Sequence, residues 1–263
     1  MRTVPAVARS VAIIDLITRA AEAPKVSTIA SELGIPRNTT YELIATLQEA
    51  DLVEIGLDGR ITPGFRLFEW GGAYARSVDL IQQASLVARE VASEHNVTVH
   101  VAVLEGREVV YLVKEEGNQH VRMGSGIGRR VPAHATGVGK ALLAQLSPSR
   151  LQELLGRQPL TRLTAGTITD PKVLISELTI IADTGIAYDN EESSTDVSCV
   201  AHVVRNDRGD VIAGLSISTL ASRVTEDVRS QLAAVAIDGA NRLSQRLGWP
   251  GANRTLIGDK WTS

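Results

Sequence analysis

The sequence predicts an α+β fold in two parts: a small helical part and then a larger part built around an antiparallel sheet. Three observations support this prediction. Apolar residues recur at helical spacing through most of the first 50 residues, short extended runs joined by glycine-containing turns follow, and an apolar period of two begins near residue 96. Strand pairs joined by short turns, with helices between them, are typical of an antiparallel sheet covered by helices.

Two helices are expected near the start of the chain. The first covers residues 10–23, with Val, Ile and Leu on one face and Ser10 as its cap. The second is short and is preceded by Ser27 as its cap. It stops at Gly34, because glycine readily adopts the left-handed backbone that ends a helix.

A third helix and a hairpin complete the small part. Pro36 is expected at the first position of a helix that runs to about Ala50, because the N–H that proline lacks is not needed there. Extended runs at 51–55 and 59–65 are joined by a turn that contains two glycines. Three helices followed by a hairpin are the outline of a winged helix-turn-helix, which we therefore expect over residues 1–65.

The rest of the chain is expected to begin with one long helix over 66–94, which contains no proline and is a stiff connection. Ser147, Asp170 and Thr225 each precede a later helix as its cap, and Gly185 ends one of these helices. The expected strands are 97–104, 108–114, 120–123, 186–189, 197–205 and 210–218, and the expected later helices are 135–146, 148–155, 171–184 and 225–247. The expected divisions are a DNA-binding domain at 1–65, a linker helix at 66–80, a second domain at 81–250 and a tail at 251–263.

Charge gives no support to a general affinity for nucleic acid. The net charge is −3, and residues 1–70 contain seven Lys/Arg and nine Asp/Glu. Proteins that bind DNA usually present a basic surface. Any DNA contact must therefore come from a local patch.

Compartment is inferred from cysteine content and from apolar runs. Cys199 is the only cysteine, which excludes an internal disulfide and indicates a reducing compartment. The N-terminus does not resemble a secretory signal, and no apolar run is long enough to suggest a membrane span. We therefore expect a cytoplasmic protein with no membrane partner.

The start of the third helix carries the candidate DNA-reading residues. A recognition helix presents its first exposed side chains to base edges, and Arg, Asn and Thr all have base partners in the major groove. The candidate base readers are Arg37, Asn38, Thr39, Thr40 and Tyr41, and the candidate phosphate contacts are Ser27, Thr28 and Arg60. The alternative is a polar helix start that serves capping alone. Glu42 opposes DNA binding mildly, because a carboxylate is repelled by phosphate.

Three segments of the second domain indicate one ligand site. A glycine-rich loop over 124–132 precedes a helix, whose free N–H groups would favour an anion. It is not a P-loop, because His134 and Ala141 occupy positions where that motif needs glycine and Ser/Thr. Glycines that only allow close packing are the alternative. The acidic stretch 188–192 could accept a hydrogen bond from a ligand hydroxyl, although Glu191 and Glu192 singly are better explained as a solvated loop.

The third segment is the hairpin that carries Cys199, Ser216 and Ser218. A four-residue turn without a bulge would place Cys199 opposite Ser216. Residues two apart on a strand share a face, so these three side chains are expected to point the same way. A thiol and two hydroxyls on one face suit a pocket for a small polar ligand.

Cys199 also allows a catalytic hypothesis, with His134 or His202 as its base. A cysteine in an apolar strand is more often a small buried core residue, and His202 should face away from Cys199. No close cysteine or histidine spacing supports a metal site, so we expect neither a metal nor a cofactor.

Five segments, taken together, resemble the IclR family of bacterial transcription regulators over about residues 5–247. They are Arg9-Ser10, STIASELGIPRNTTYELIATLQEADLVE from Ser27, GRRVPAHATGVGKALLA from Gly128, GIAYDNEESSTDVSCVAHVV from Gly185, and GLSISTLASRV from Gly214. The third is the most specific. The resemblance implies winged helix-turn-helix domains that bind double-stranded operator DNA as a homodimer or homotetramer. It also implies a GAF/profilin-like α/β domain that binds a small organic or aromatic acid.

The resemblance also implies which residues contact the effector. These are Gly137, Val138, Asp189, Cys199, Ser216 and Ser218, with apolar walls at Met123, Ile127 and Val131. Two residues depart from the family pattern. Glu42 stands where an arginine is usual, and Asp196 stands where glycine is common.

The expected function is a ligand-responsive transcription regulator, by default a repressor, and not an enzyme. The alternative is a metabolite sensor that does not bind DNA, or an enzyme that uses Cys199 and His134. Neither the effector nor the operator follows from the sequence.

Overall fold

The computed structural model describes residues 4–77, 79–117, 126–156 and 158–251, without the side chains of 74–77. The chain divides into two compact units after residue 78. The helices are α1 Pro5–Arg19, α2 Val26–Leu33, α3 Arg37–Glu49, α4 Phe65–Ser77, α5 Asp79–His95, α6 Gly137–Leu143, α7 Pro148–Leu155, α8 Pro171–Thr184 and α9 Glu226–Arg246. The strands are β1 Val53–Ile55, β2 Ile61–Pro63, β3 Thr98–Glu105, β4 Glu108–Glu116, β5 Arg130–Pro132, β6 Ala187–Asn190, β7 Val197–Arg205 and β8 Val211–Leu220.

The first unit packs three helices and a two-stranded hairpin around one apolar core. Ile13 of α1, Ile29 of α2, Ile44 of α3 and Ile61 of β2 are all buried in it. Burial of these four side chains contributes about 1.5–3 kcal/mol each. Gly64, just after β2, lies against the backbone of Asp51. A Cβ at Gly64 would lie 2.2 Å from the carbonyl oxygen of Asp51, so this close approach requires glycine.

Three expected helix starts in this unit were wrong. Helix α1 begins at Pro5, so Ser10 lies inside the helix and caps nothing. The N-cap of α2 is Lys25, which places Ser27 in the first turn. Pro36 is the N-cap of α3 and not its first residue. Helices α1 and α2 thus begin earlier than serine capping suggested, and α3 begins one residue later than expected.

The expected helix over 66–94 is described as two helices, α4 and α5, on either side of residue 78, which lies outside the described residues. Helix α5 belongs to the second unit. Its small apolar residues, such as Ala88 and Val91, are buried against the sheet of that unit.

The second unit is a six-stranded antiparallel sheet in the order β5-β4-β3-β8-β7-β6. Helices α5 and α9 cover one face, where Val87, Leu215 and Leu243 are buried. Helices α6 and α8 belong to the core on the other face, with Ala201 and Leu178. The expected α+β fold is confirmed.

Local signals predicted the helices of this unit well. Ser147, Asp170 and Thr225 each accept a hydrogen bond from a backbone N–H in the first turn, as expected of caps. Gly185 ends α8 in the left-handed region, with φ +76°. Strand β5 was missed because it was assigned to the glycine-rich loop, and the expected strand 120–123 lies outside the described residues.

The expected register of the β7–β8 hairpin was wrong by two residues. Cys199 pairs with Ser218, not with Ser216, because the turn between Arg205 and Val211 is one residue longer than expected and the register shifts by one more between Val204 and Arg205. A shift of two keeps the same side chains on the same face. Cys199, Ser216 and Ser218 therefore still share one face of the sheet.

Candidate DNA-binding surface and ligand cavity

The start of α3 presents an exposed cationic and aromatic pair. The guanidinium carbon of Arg37 lies 5.8 Å from the centroid of the Tyr41 ring, and Arg37 Nη2 lies 3.5 Å from Tyr41 Oη. These side chains are one helical turn apart, which is why they meet. Tyr41 is 48% exposed, and Asn38 is exposed beside it. The pair is held in place while both members remain accessible to a partner.

Thr40 does not belong to this exposed set. It is fully buried, and its hydroxyl donates to the carbonyl oxygen of Pro36 at 3.2 Å. Thr40 lies four residues before Ile44, on the helix face that packs into the core. The expectation that Thr40 reads a base was therefore wrong, and Thr39 is half-buried.

The three residues predicted to contact phosphate differ in whether their side chains already have partners within the protein. Ser27 and Thr28 are exposed in the first turn of α2. Arg60 in the hairpin forms ion pairs with Asp58 at 3.2 Å and with Glu22 at 3.6 Å. Ser27, Arg37 and Tyr41 line a shared groove of about 370 Å³ between α2, α3 and the hairpin. Three of the predicted DNA-contacting residues therefore lie together on one side of the first unit.

The second unit contains a cavity of about 420 Å³ at the face of its sheet. Four adjacent strands supply polar side chains to it, namely His100 of β3, Tyr111 of β4, Cys199 of β7 and Ser218 of β8. Other lining residues include Arg129, Val131, Leu163 and Ser193. A concave site with a few convergent polar groups and apolar walls is typical of small-molecule binding.

A chain of polar contacts crosses three strands in this cavity. Cys199 Sγ lies 3.2 Å from Ser218 Oγ, and Ser218 Oγ lies 3.4 Å from His100 Nδ1. The His100 and Tyr111 rings are 5.0 Å apart between centroids. Sequence reasoning missed His100 and Tyr111. The alternation of β3 and β4 was visible, but the pairing of β3 with β8 that places His100 opposite Ser216 was not.

Burial favours the uncharged forms of Cys199, Tyr111 and His100 in the cavity. It raises the pKa of the Cys199 thiol and of the Tyr111 hydroxyl, and it lowers the pKa of His100 to about 4. Cys199 is therefore a protonated thiol at neutral pH and a poor nucleophile. His134, the base of the catalytic hypothesis, instead contacts the carbonyl oxygen of Thr161 through Nε2 at 3.0 Å.

Asp189 is buried beside the cavity and is occupied by its own turn. Its Oδ1 accepts from the backbone N–H of Glu192 at 2.7 Å, and its Oδ2 accepts from the Ser193 hydroxyl at 2.6 Å. Burial raises the pKa of Asp189, and these hydrogen bonds oppose that change. Asp189 pairs with Cys199 in the sheet. The carboxylate thus shapes the turn that carries Ser193 into the cavity wall.

The remaining expected ligand residues take different positions. Val131 lines the cavity, together with Cys199 and Ser218. The buried residues Gly137, Val138, Asp189 and Ser216 do not line it. A Cβ at Gly137 would lie 3.5 Å from the backbone nitrogen of Asp189, so the start of α6 packs directly on the Asp189 turn.

Of the residues predicted to form apolar walls of the cavity, one does not line it and one lies outside the described residues. Ile127 is 70% exposed and does not line the cavity, because it lies in the turn just before β5. Met123 lies outside the described residues.

Lys140 is a buried cation that sequence reasoning passed over. It is fully buried in α6, and its Nζ lies 2.5 Å from Glu177 Oε1 and 2.5 Å from Glu192 Oε1. The interpretation of Glu192 as part of a solvated loop was therefore wrong. The partners are 37 and 52 residues away in sequence, so no local pattern could have identified them.

Two features are absent from the described part of the chain. Its His, Cys, Asp and Glu residues form no group of three that could hold a metal ion. None of its helices is long and apolar enough to cross a membrane.

Comparison with known proteins identifies two regions of similarity. Residues 6–55 match the IclR helix-turn-helix domain, and residues 72–245 match the bacterial transcriptional regulator IclR C-terminal domain. The HTH-type transcriptional regulator XynR of Escherichia coli K12 is 35% identical, over 95% of this chain and 100% of its own. The HTH-type transcriptional repressor AllR of Salmonella typhimurium LT2 is 33% identical, over 92% and 90%.

Solved structures share the fold. An IclR homologue from Microbacterium hydrocarbonoxydans, complexed with 4-hydroxybenzoate, has a TM-score of 0.79 at 24% identity, covering 92% of this chain and 98% of its own. The named relatives are transcriptional regulators and not enzymes, which confirms the expectation that this chain is not an enzyme.

Proposed function

Because this chain belongs to the IclR family of bacterial transcriptional regulators, we propose that it represses transcription from an operator and responds to a small organic or aromatic acid. The observation that carries the proposal is the exposed pair of Arg37 and Tyr41 at the start of α3. A regulator of this kind acts on DNA, so its compartment is the cytoplasm.

The DNA-binding surface is proposed to consist of the exposed residues around the groove of the first unit. Arg37 and Asn38 are the base-reading candidates, since arginine pairs with guanine and asparagine with adenine. The supporting contacts to base edges or phosphates are assigned to Ser27, Thr28, Thr39, Tyr41 and Arg60. Arg60 would have to exchange its ion pairs for phosphate, so its contribution is expected to be small.

The effector is proposed to occupy the cavity of the second unit. Its polar group would contact Cys199 and Ser218, and Val131 would form an apolar wall. The predicted residues Gly137, Val138, Asp189 and Ser216 would act from outside the lining, since Asp189 pairs with Cys199 and Gly137 packs on Asp189. A volume of about 420 Å³ accommodates an acid of aromatic size. The 4-hydroxybenzoate bound by the relative of the same fold supports this class of ligand.

A homodimer or homotetramer is proposed as the working assembly. Phe65, Phe68 and Trp70 of α4 are more than half exposed in the first unit, and Val7 and Val11 of α1 are exposed at helical spacing. Exposed apolar clusters of this kind mark interaction surfaces. Effector binding would act by stabilising one arrangement of the assembled domains over another, and its effect is limited to that difference in affinity.

A gel-shift titration on the intergenic DNA beside the protein's own gene tests the proposal, with competitor DNA and several salt concentrations. Arg37→Ala is expected to reduce specific affinity by about tenfold or more, since one bidentate base contact is worth about 1–3 kcal/mol. Arg19→Ala is the matched control, because Arg19 is an exposed arginine of the same unit on α1.

Equal loss of affinity in both variants would show that only general charge matters. Absence of specific binding by the wild-type protein at low salt would contradict the proposal that the protein is a DNA-binding regulator. The alternative, a metabolite sensor that does not bind DNA, would then be favoured.

A further inference from the structure

The second unit contains a fully buried cation that is not among the residues lining the cavity. Lys140 is fully buried, does not line the cavity, and joins α6 to Glu177 of α8 and to Glu192 of the turn after β6. A fully buried lysine is rare unless paired. Three separate elements of the chain therefore meet at one ammonium group.

Lys140 supplies the charged partner of the Glu192 carboxylate. Its Oε1 accepts from Lys140 Nζ and, at 3.3 Å, from the backbone N–H of Asn190. Its Oε2 is buried and has no hydrogen-bond partner within the described ranges. A buried carboxylate with one unpartnered oxygen is costly, so removal of the lysine would leave Glu192 strongly disfavoured in its present position.

Glu192 also fixes the turn that reaches the cavity. Its backbone N–H donates to Asp189 Oδ1 at 2.7 Å, and its carbonyl oxygen accepts from Thr167 Oγ1 at 2.7 Å. Asp189 in turn accepts from the hydroxyl of Ser193, which lines the cavity. A continuous series of contacts thus connects Lys140, through Glu192 and Asp189, to the cavity wall.

Lys140 offsets the negative charge of the carboxyl groups near this turn. Glu177, Glu192 and Asp189 are three carboxyl groups around one lysine. Burial raises the pKa of Asp189 and of Glu192, while the positive charge of Lys140 opposes both changes. Without Lys140 the two carboxylates of the turn would repel each other and draw in water or protons.

We propose that Lys140 is a positioning residue of the effector cavity, which holds the Asp189–Ser193 turn against α6 without touching the ligand. The importance of that geometry for an effector rests on the proposed function, but the positioning itself can be tested without effector or DNA. Gly137 packs on Asp189, so α6 and the turn form one wall beside the cavity.

Cys199 serves as an internal reporter for this test. It is the only cysteine of the chain, lines the cavity and pairs with Asp189 in the sheet. Its rate of alkylation by N-ethylmaleimide, followed by intact mass at several pH values, reports how accessible the thiol is and how readily it ionises, and both depend on the cavity wall. Lys140→Met is expected to raise this rate by about tenfold or more, because the turn loses its anchor.

A second variant separates positioning from folding. Lys140→Met/Glu192→Gln removes the cation together with its most deeply buried carboxylate partner, and it leaves unpaired only Glu177, whose side chain is 30% exposed. This variant is expected to fold and still to label faster than wild type. Arg150→Met is the control, because it removes an exposed ion pair with Glu153 in the same unit.

Two results would overturn the proposal. One is a folded double variant whose Cys199 reacts at the wild-type rate. The other is a faster rate that rises with denaturant as steeply as global unfolding does, which would show that Lys140 acts only on overall stability. Failure of the protein to bind an operator would leave this result unaffected and would count against the proposed function alone.

Discussion

Cys199 lies directly across from Ser218 in the β7–β8 hairpin, and its sulfur is 3.2 Å from the Ser218 hydroxyl. This pairing has two sources: five residues separate Arg205 from Val211 where a four-residue turn was expected, and the irregularity between Val204 and Arg205 shifts the register by one more residue. Since Ser218 also contacts His100 on β3, the thiol becomes the end of a neutral polar chain. The geometry suits ligand recognition and opposes thiolate chemistry.

The first prediction concerns ionisation of Cys199. Burial raises the pKa of its thiol, and the nearby carboxylate of Asp189 acts in the same direction. We expect no thiolate absorbance from the folded protein up to about pH 10, whereas an ordinary cysteine titrates near about 8.5. The difference spectrum between wild type and Cys199→Ser removes the tyrosine background. A titration near the ordinary value would restore the catalytic hypothesis.

The second prediction is an acid-dependent loss of stability from His100. Its pKa is lowered from 6.5 to about 4 by burial, so the unfolded state binds more protons between these two values. The free energy of unfolding should therefore fall as pH decreases through this window, by about 3 kcal/mol in total from this residue. Urea denaturation at a series of pH values measures it. His100→Gln should show a shallower decline, and equal slopes in the two proteins would contradict the assignment.

The third prediction separates Thr40 from its exposed neighbours on α3. Thr40 is buried and its hydroxyl bonds to Pro36, so Thr40→Ala should lower the unfolding free energy by about 1–2 kcal/mol. Asn38→Ala, on the exposed side, should change stability by less than about 0.5 kcal/mol. Thermal denaturation of both variants provides the comparison. A stable Thr40→Ala protein with weakened DNA binding would mean that Thr40 does contact the operator.

The fourth prediction concerns Gly139 in α6. A Cβ at this position would lie 2.1 Å from the carbonyl oxygen of Ala133, and the backbone there cannot move away cheaply. Gly139→Ala should destabilise the second unit by about 3 kcal/mol or more. Gly126→Ala is the control, because nothing lies within 4 Å of its added Cβ. Similar denaturation midpoints for the two variants would show that α6 can shift to accept the methyl group.

The backbone conformation at Asp196 explains why glycine is common at this position and why aspartate can replace it. Asp196 has φ +64°, a left-handed conformation that glycine adopts without strain and that aspartate tolerates better than most residues. Its backbone N–H donates to Glu191 Oε1 at 2.9 Å. The loop thus keeps the conformation that a glycine would take, and no structural reason for Glu42 on the exposed face of α3 was found.

The sequence by itself determined the features that depend on neighbours along the chain. The α+β class, the order of the elements, and the caps at Ser147, Asp170 and Thr225 were all predictable. So was the shared face of Cys199, Ser216 and Ser218, because alternation along a strand survives a register shift of two. Local hydrogen bonds and side-chain periodicity involve residues a few positions apart, and a single sequence displays them directly.

Only the tertiary structure decided which distant residues meet. The pairing of β3 with β8 brings His100 to Ser218, and the packing of α6 brings Lys140 to Glu177 and Glu192. Packing likewise turned Thr40 inward on a helix whose first turn is otherwise polar. These outcomes depend on burial of apolar surface between elements far apart in the chain, and the resulting desolvation sets the charge state of each group. Neither the contacts nor the pKa changes they cause are encoded in any local pattern.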